Sequence, residues 1–490
     1  MTRLADVTLP DLTIPVPTYD RRAIAVGIVH VGVGGFHRTH EAVYVDRLLA
    51  RGEHRWGICG VGTQPGDRRM RDVLRDQDGL YTVVAKHPSG RLEPHVVGSL
   101  VEHLHAPDDP EAVIERMAAP TTAIVSLTIT EGGYGVDPGT GRFTPEEPAV
   151  LLDFERAAPP STVFGLVTEA LVRRRQRGIA PFSVLSCDNV AQNGVVARTA
   201  FGGFASAIDV ELGEWVAQEV AFPSSMVDRI TPATTEDDRS ELAERFGVED
   251  EWPAVCEPYL QWILEDVPDV VRPPWELVGV QMVPDVHPYE LMKLRLLNAG
   301  HQAIGYLGHL AGHRYTDDVC RDPEFADFLL GYLEHEASPT LLPVPGIDLG
   351  EYRRSLLERF GNVAVRDSLA RLCAFSSDRI PGFLLPVVRD QLAAGRGIER
   401  SALVCAAWAR YAAGRDDHGE PIVVVDRLLD VVSTAATEAE REPSAFLHRT
   451  GVFGELAEHP RFVEAFTTQL RSLQAHGARG AVRLLRGNGD

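Results

Sequence analysis

The stretch Ile-Ala-Val-Gly-Ile-Val-His-Val-Gly-Val-Gly-Gly-Phe-His-Arg, residues 24–38, decides the fold class. Its first half sets Ile28, Val29, Val31 and Val33 in a short run, the pattern of a strand buried on both faces. Gly32, Gly34 and Gly35 interrupt that run, and residues 39–50 read as a helix. Strand, glycine turn and helix in that order predict one unit of a parallel α/β sheet. Outward from it, apolar runs at 56–61, 80–85, 123–130 and 182–186 predict further strands, with helices at 110–119 and 162–177. After about residue 285 the pattern changes to amphipathic helices, at 289–310, 323–336, 350–359, 363–373, 381–394, 401–413 and 460–475. The expectation is an α/β domain over 1–286 followed by a mostly helical domain over 287–490, with the active cleft at their junction.

The rest of the composition excludes several function classes. A net charge of −22 over 490 residues gives no electrostatic reason to seek nucleic acid or an anionic membrane. No apolar run approaches the ~20 residues of a membrane span, and the first 15 residues lack a basic stretch followed by an apolar one. The six cysteines stand apart from one another, which argues against a disulfide framework and a cysteine-rich zinc site. A cytoplasmic protein is expected. His103 and His105 alternate as metal ligands can, but no third ligand stands near them in the chain.

The glycine turn carries the first chemistry. Gly32, Gly34 and Gly35 let the backbone turn tightly and approach a pyrophosphate, which a following helix N-terminus attracts; Phe36 and His37 come next. His37 fills the third glycine position of the dinucleotide pattern, so the match is incomplete and a purely structural turn stays open. The reading is a Rossmann-type domain. Asp67, just after the second strand, is the acidic residue expected to hold an adenosine ribose and favours NAD. Arg68 and Arg69 beside it are arginines of the kind that hold a 2′-phosphate.

The second chemical stretch is residues 287–301, His-Pro-Tyr-Glu-Leu-Met-Lys-Leu-Arg-Leu-Leu-Asn-Ala-Gly-His. Only two of the chain's 48 basic residues are lysines, Lys86 and Lys293; the other 46 are arginines. Arginine cannot release its proton near neutral pH, so a lysine kept inside a polar helix marks a position where arginine fails. Lys86, in an Ala-Lys-His-Pro-Ser-Gly stretch, reads as a surface residue. At ~100° per residue, Glu290, Lys293, Asn298 and His301 fall within an arc of roughly 140° on one helix. A metal-free alcohol dehydrogenase needs a base for the hydroxyl proton and donors for the developing oxyanion, and this stripe supplies both. A solvated Glu–Lys pair is the bland alternative.

Seven stretches together resemble the mannitol dehydrogenase family of long-chain polyol dehydrogenases: residues 28–40, 56–62, 126–134, 186–194, 222–232, 255–266 and 288–301, with 341–349 following the same pattern. The resemblance implies metal-independent, NAD-linked oxidation of a secondary alcohol to a ketose, D-mannitol to D-fructose first among the substrates. It places Lys293 as general base, Asn189 and Asn298 as the amides on the reacting oxygen, and His301 beside them. Asp228, Glu290 and Glu131 line the substrate or proton route, Arg371 contacts a substrate hydroxyl, and Gly32, Gly34, Phe36 and Asp67 serve the cofactor. Two stretches depart from the family pattern: Ala299-Gly300 before His301, and Arg379 where lysine is usual. Family members are often monomers. A D-arabinitol 4-dehydrogenase or a fructuronate or tagaturonate reductase is the alternative within the family, a uronate enzyme needing a cation that Arg371 or Arg379 can supply. A zinc alcohol dehydrogenase and a non-catalytic nucleotide sensor are the alternatives outside it.

Overall fold

The structure, a computed structural model, describes residues 1–137, 140–156 and 158–487. It divides into two compact units, Met1–His87 with Arg91–His287, and Pro88–Gly90 with the chain from Pro288 onward. In the first unit, strands β1 (Val26–Val31), β2 (Gly57–Gly62), β3 (Leu100–His105), β4 (Ile124–Leu127) and β5 (Ser183–Ser186) form one parallel sheet. Their order is β3-β2-β1-β4-β5, so the chain fills one side of β1 and then returns to fill the other. This is a Rossmann-type arrangement, and its order reverses between β1 and β4, where open α/β sheets bind ligands.

Both faces of that sheet are covered. Successive residues of a strand point to opposite faces, and accordingly Val29 and Val31 of β1 join one apolar cluster while Ile28 joins another. The first cluster is closed by the helices Pro110–Ala118, Val163–Gln176 and Asn193–Ile208, through Val113, Leu166 and Phe201. The second is closed by Tyr44 and Leu48 of Glu41–Leu49 and by Trp262 and Trp275. β1 and β2 are buried along their whole length, which explains their predominantly apolar residues, with His30 of β1 the polar exception.

Several elements differ from the sequence reading. β3 (Leu-Val-Glu-His-Leu-His) was not expected; it is an edge strand with Glu102 and His103 half-buried, so no apolar run announces it. The strand Tyr81–Lys86 pairs antiparallel with Leu92–Val97, where Pro94 is tolerated because that strand is an edge. A further sheet of Ser225–Asp228, Gln261–Glu265 and Gln281–Val283 completes the unit. Lys86 is not a surface residue: its side chain is 12% exposed and is paired with Asp238. The helix expected over 39–50 breaks at His40 into Gly35–Thr39 and Glu41–Leu49, with the His40 ring held by the Gln261 carbonyl at 2.9 Å.

The second unit is mostly helical. Glu399–Ala412 is buried along most of its length, and its Trp408 meets Phe446 and Phe453. Residues 363–373 are not one helix; Ser368 bridges to Tyr315, and only Leu369–Leu372 is helical. Residues 381–394 divide between Ser376–Phe383 and Leu385–Ala393. Among the described residues, no helix is long and apolar enough to cross a membrane.

Candidate active site

The carboxyl edge of the parallel sheet gathers the first group of predicted residues. After β1, Gly32 has φ +97°, and a Cβ placed on it would stand 2.2 Å from the Thr128 carbonyl oxygen, so no other residue fits. The Thr128 hydroxyl donates to the Gly32 carbonyl at 2.6 Å, and the Gly32 N–H donates to Val61 at 3.0 Å. Gly34 differs. Its backbone is extended, it caps the helix Gly35–Thr39, and its nearest neighbour to a built Cβ is 3.8 Å away. Room is kept above Gly34, while Gly35 is in ordinary contact with Thr231 and the Phe36 ring stacks on His40 at 5.0 Å.

Beneath the turn lies a buried polar network. His30 Nδ1 is 2.8 Å from Ser126 Oγ and 3.1 Å from Glu41 Oε2, and Ser126 donates to the same Glu41 oxygen at 2.9 Å. The His37 ring stacks on His30 with centroids 3.5 Å apart. Burial first, and then the neighbouring His30, hold the His37 pKa well below its ordinary value, so this ring is neutral. His30, His37 and Glu41 are the one group with metal-ligand spacing among the described residues, but both His30 nitrogens already meet protein oxygens. His105 sits between the Gln64 carbonyl and Asp108, and burial pushes His103 down to about 4.

Asp67 follows β2 and uses Oδ2 to accept the N–H groups of Thr63 (3.0 Å) and Gln64 (2.9 Å), which shapes the loop at the strand end. Of its arginine neighbours, Arg68 pairs with Asp108 and Arg69 lies 4.8 Å over the Trp252 ring. Both therefore have partners on the protein. Asn189 follows β5 and is half-buried, and Asp228 is 2% exposed at the end of Ser225–Asp228. Glu131 opens the short turn Glu131–Tyr134 after β4; its side chain lies outside the described part of the structure.

The second unit carries the other predicted residues on one continuous helix. His287–Met292 is α-helical, Lys293–Asn298 is π-helical, and Ala299–Leu310 is α-helical again. The regular 100° spacing assumed from sequence is therefore wrong over six residues. A turn closed between i and i+5 advances by only roughly 85° per residue, and such turns favour functional sites. With that step, the arc holding Glu290, Lys293, Asn298 and His301 narrows to roughly half of its α-helical value. The wider turn is supported from outside: Tyr332 donates to the Arg295 carbonyl at 3.2 Å, and Arg295 itself reaches the Thr340 carbonyl and Asp390.

Lys293 is 5% exposed and Glu290 4%. The Asn298 Oδ1 is buried with no hydrogen-bond partner among the described residues, and the His301 ring lies 4.2 Å from that of Phe360. Arg371 is gripped by both oxygens of Asp367, through Nε to Oδ1 at 2.7 Å and through Nη2 to Oδ2. Arg379 donates to the Arg371 and Leu372 carbonyls, each at 3.1 Å, so it caps the short helix that carries Arg371. Asp367, Glu41 and Tyr332 are site-shaping residues that the sequence reading did not single out, whereas Asp188, beside Asn189, reads from sequence as structural; the structure gives it the Ile129 and Thr130 N–H groups as partners.

Comparison with known proteins covers nearly the whole chain. The family models described as the mannitol dehydrogenase Rossmann domain and the mannitol dehydrogenase C-terminal domain match residues 26–277 and 285–474. A mannitol 2-dehydrogenase of Aspergillus fumigatus is 44% identical over 472 residues, covering 95% of this chain and 94% of its own. The solved Pseudomonas fluorescens mannitol 2-dehydrogenase, a ternary complex with NAD and D-mannitol, has a TM-score of 0.95 and 40% identity over 99% of this chain and 100% of that one. A D-sorbitol dehydrogenase solved in substrate-free form has a TM-score of 0.83 and 36% identity over 98% of this chain and 100% of that one.

Proposed function

The chain belongs to the mannitol dehydrogenase family, and from that premise we propose that it is an NAD-dependent polyol dehydrogenase oxidising D-mannitol to D-fructose without a metal. The observation that carries the reading is the glycine turn at the reversal point of a β3-β2-β1-β4-β5 parallel sheet, in one chain with a buried lysine on a π-helical turn. The fit to a dinucleotide rests on Gly34, whose missing Cβ leaves the approach to the turn open. Asp67 supports NAD over NADP, and the ties of Arg68 to Asp108 and Arg69 to Trp252 argue in the same direction.

NAD, when bound, supplies the acceptor for the hydride leaving the carbinol carbon. The chain's own residues handle the proton and the oxygen. The Lys293 amine is withdrawn from water, the condition under which a lysine serves as base near neutrality, and it takes the hydroxyl proton. Asn189 and Asn298 donate to the oxygen as negative charge develops on it, with His301 as a further donor. Glu290 and Glu131 carry the proton onward, and Asp228 and Arg371 hold the polyol hydroxyls. A uronate reductase demands a cation for its substrate's carboxylate. Arg371 has its charge balanced by Asp367 and Arg379 is directed at two carbonyls, which favours an uncharged polyol.

The test is nicotinamide absorbance with NAD⁺ and separately with NADP⁺ across D-mannitol, D-sorbitol, D-arabinitol and, in reverse, fructuronate and tagaturonate. The expected result is fastest turnover of D-mannitol with NAD⁺, undiminished by EDTA. Turnover of a uronate alone, or loss of activity with EDTA, overturns the substrate or the metal-free reading respectively.

A further inference from the structure

At the reversal point of the sheet, the chain leaving β4 runs Thr128-Ile129-Thr130 beside the glycine turn. Thr130 has φ 70° and ψ 162°. That region is essentially reserved for glycine, and a β-branched residue there is strained. Such a conformation persists only where the surroundings over-determine it. Here one carboxylate does so. Asp188, nine-tenths buried, accepts the Ile129 N–H on Oδ2 at 3.0 Å and the Thr130 N–H on Oδ1 at 2.9 Å. The Tyr134 phenol, at the far end of the turn that Thr130 opens, donates to the same Asp188 Oδ2 at 2.7 Å and approaches Ser186 Oγ at 2.6 Å. The Asp188 main-chain carbonyl meanwhile accepts from the Val190 N–H at 2.9 Å and from Asn193 Nδ2 at 3.2 Å. Both sides of Asn189 are therefore fixed, and the loop after β4 is pinned to the loop after β5.

We propose that Asp188 is a positioning residue: its carboxylate holds Thr130 in the strained conformation and so sets the loop after β4 and the Asn189 amide at the mouth of the dinucleotide crevice. An amide in its place still accepts one N–H, but its NH₂ group faces the other N–H, donor against donor. With glycine at 130 the same backbone is adopted without strain, and the carboxylate is no longer needed to enforce it. The inference rests on the dehydrogenase reading for its turnover readout only.

The experiment compares wild type, Asp188→Asn, Thr130→Gly and the double variant by kcat, KM for the polyol, NADH affinity and melting temperature. Asp188→Asn is expected to lower kcat at least tenfold while NADH affinity changes less than about threefold. In the Thr130→Gly background the same substitution is expected to lower kcat no more than about threefold. Thr130→Gly alone raises the melting temperature, and the loss of melting temperature on Asp188→Asn shrinks in its presence. Equal losses in both backgrounds, a fall in melting temperature for Thr130→Gly, or insolubility of Asp188→Asn in both backgrounds overturns the proposal. Should wild type turn over no polyol, the functional reading fails, and the melting-temperature coupling decides the clamp by itself.

Discussion

Gly32 and Gly34 stand two residues apart in one turn, and the structure gives them opposite reasons for being glycine. In Gly32→Ala the new methyl carbon falls 2.2 Å from the Thr128 oxygen at a φ of +97°. The left-handed backbone alone costs an L-residue about 1–2 kcal/mol. Thr128 cannot retreat freely, because its N–H bonds Val31 at 3.0 Å and its hydroxyl bonds Gly32 at 2.6 Å. Losing those two bonds adds about 1 kcal/mol each, which brings the destabilisation to about 3–4 kcal/mol. In Gly34→Ala the backbone, at φ −103° and ψ −173°, suits any residue, and the nearest atom to the methyl is 3.8 Å away. The stability cost there is about 1 kcal/mol or less, the loss of a good N-cap. The methyl instead fills the approach left open above the turn, so NADH binding is expected to weaken at least tenfold, about 1.4 kcal/mol. Urea unfolding measures the first quantity and a fluorescence titration with NADH the second. Wild-type NADH affinity in Gly34→Ala, or a destabilisation equal to that of Gly32→Ala, would refute the reasoning.

Three further outcomes are expected. Burial raises the Glu336 carboxyl from 4.5 to about 7, against bonds from Ser401 and from the Arg400 N–H, so the folded state holds its proton more tightly than the unfolded chain. Its contribution is full below pH 4.5 and lost as pH rises to about 7, on the order of 3 kcal/mol; Glu336→Gln should flatten urea stability across that window, and an unchanged slope would assign it elsewhere. Asp67→Ala should raise the NADP⁺ to NAD⁺ ratio of kcat/KM at least tenfold, whereas an unchanged ratio leaves Asp67 only its bonds to Thr63 and Gln64. Asp367→Asn frees the Arg371 guanidinium from its two-point grip and should raise KM for the polyol with kcat nearly kept; a fall in kcat at constant KM would contradict a substrate-holding role.

What could be read in advance followed from local constraint. β1, β2, β4 and β5 are buried on both faces, so their residues are mostly apolar, with small or hydrogen-bonded polar residues such as Ser126 and His30 between them. β3 lies at the sheet edge, where Glu102 and His103 are tolerated, and Pro94 hid the strand Leu92–Val97 for the same reason. The glycine turn was visible because Gly32 meets a backbone demand that only glycine meets and Gly34 keeps the approach open, and Lys293 stood out through the chain's scarcity of lysine. Lys86 misled by its turn-like flank: what sets its environment is Asp238, 152 residues away. The π-helical turn left no mark in periodicity, because Leu294, Leu296 and Leu297 pack equally well in an α-helix, and what holds it open is Tyr332 from another element. Asp188 reads from sequence as a structural neighbour of Asn189, but what it holds was hidden, since its partners Ile129 and Thr130 lie 59 and 58 residues before it.

The central claim is that Lys293 is the base of a polyol oxidation rather than a buried structural amine. Its most direct test is Lys293→Ala with saturating D-mannitol and NAD⁺, measured beside an NADH titration of the same preparation. The account predicts a fall in kcat of roughly a thousandfold or more, with NADH affinity within about threefold of wild type. Turnover retained within tenfold, or NADH affinity lost in parallel with turnover, would contradict it.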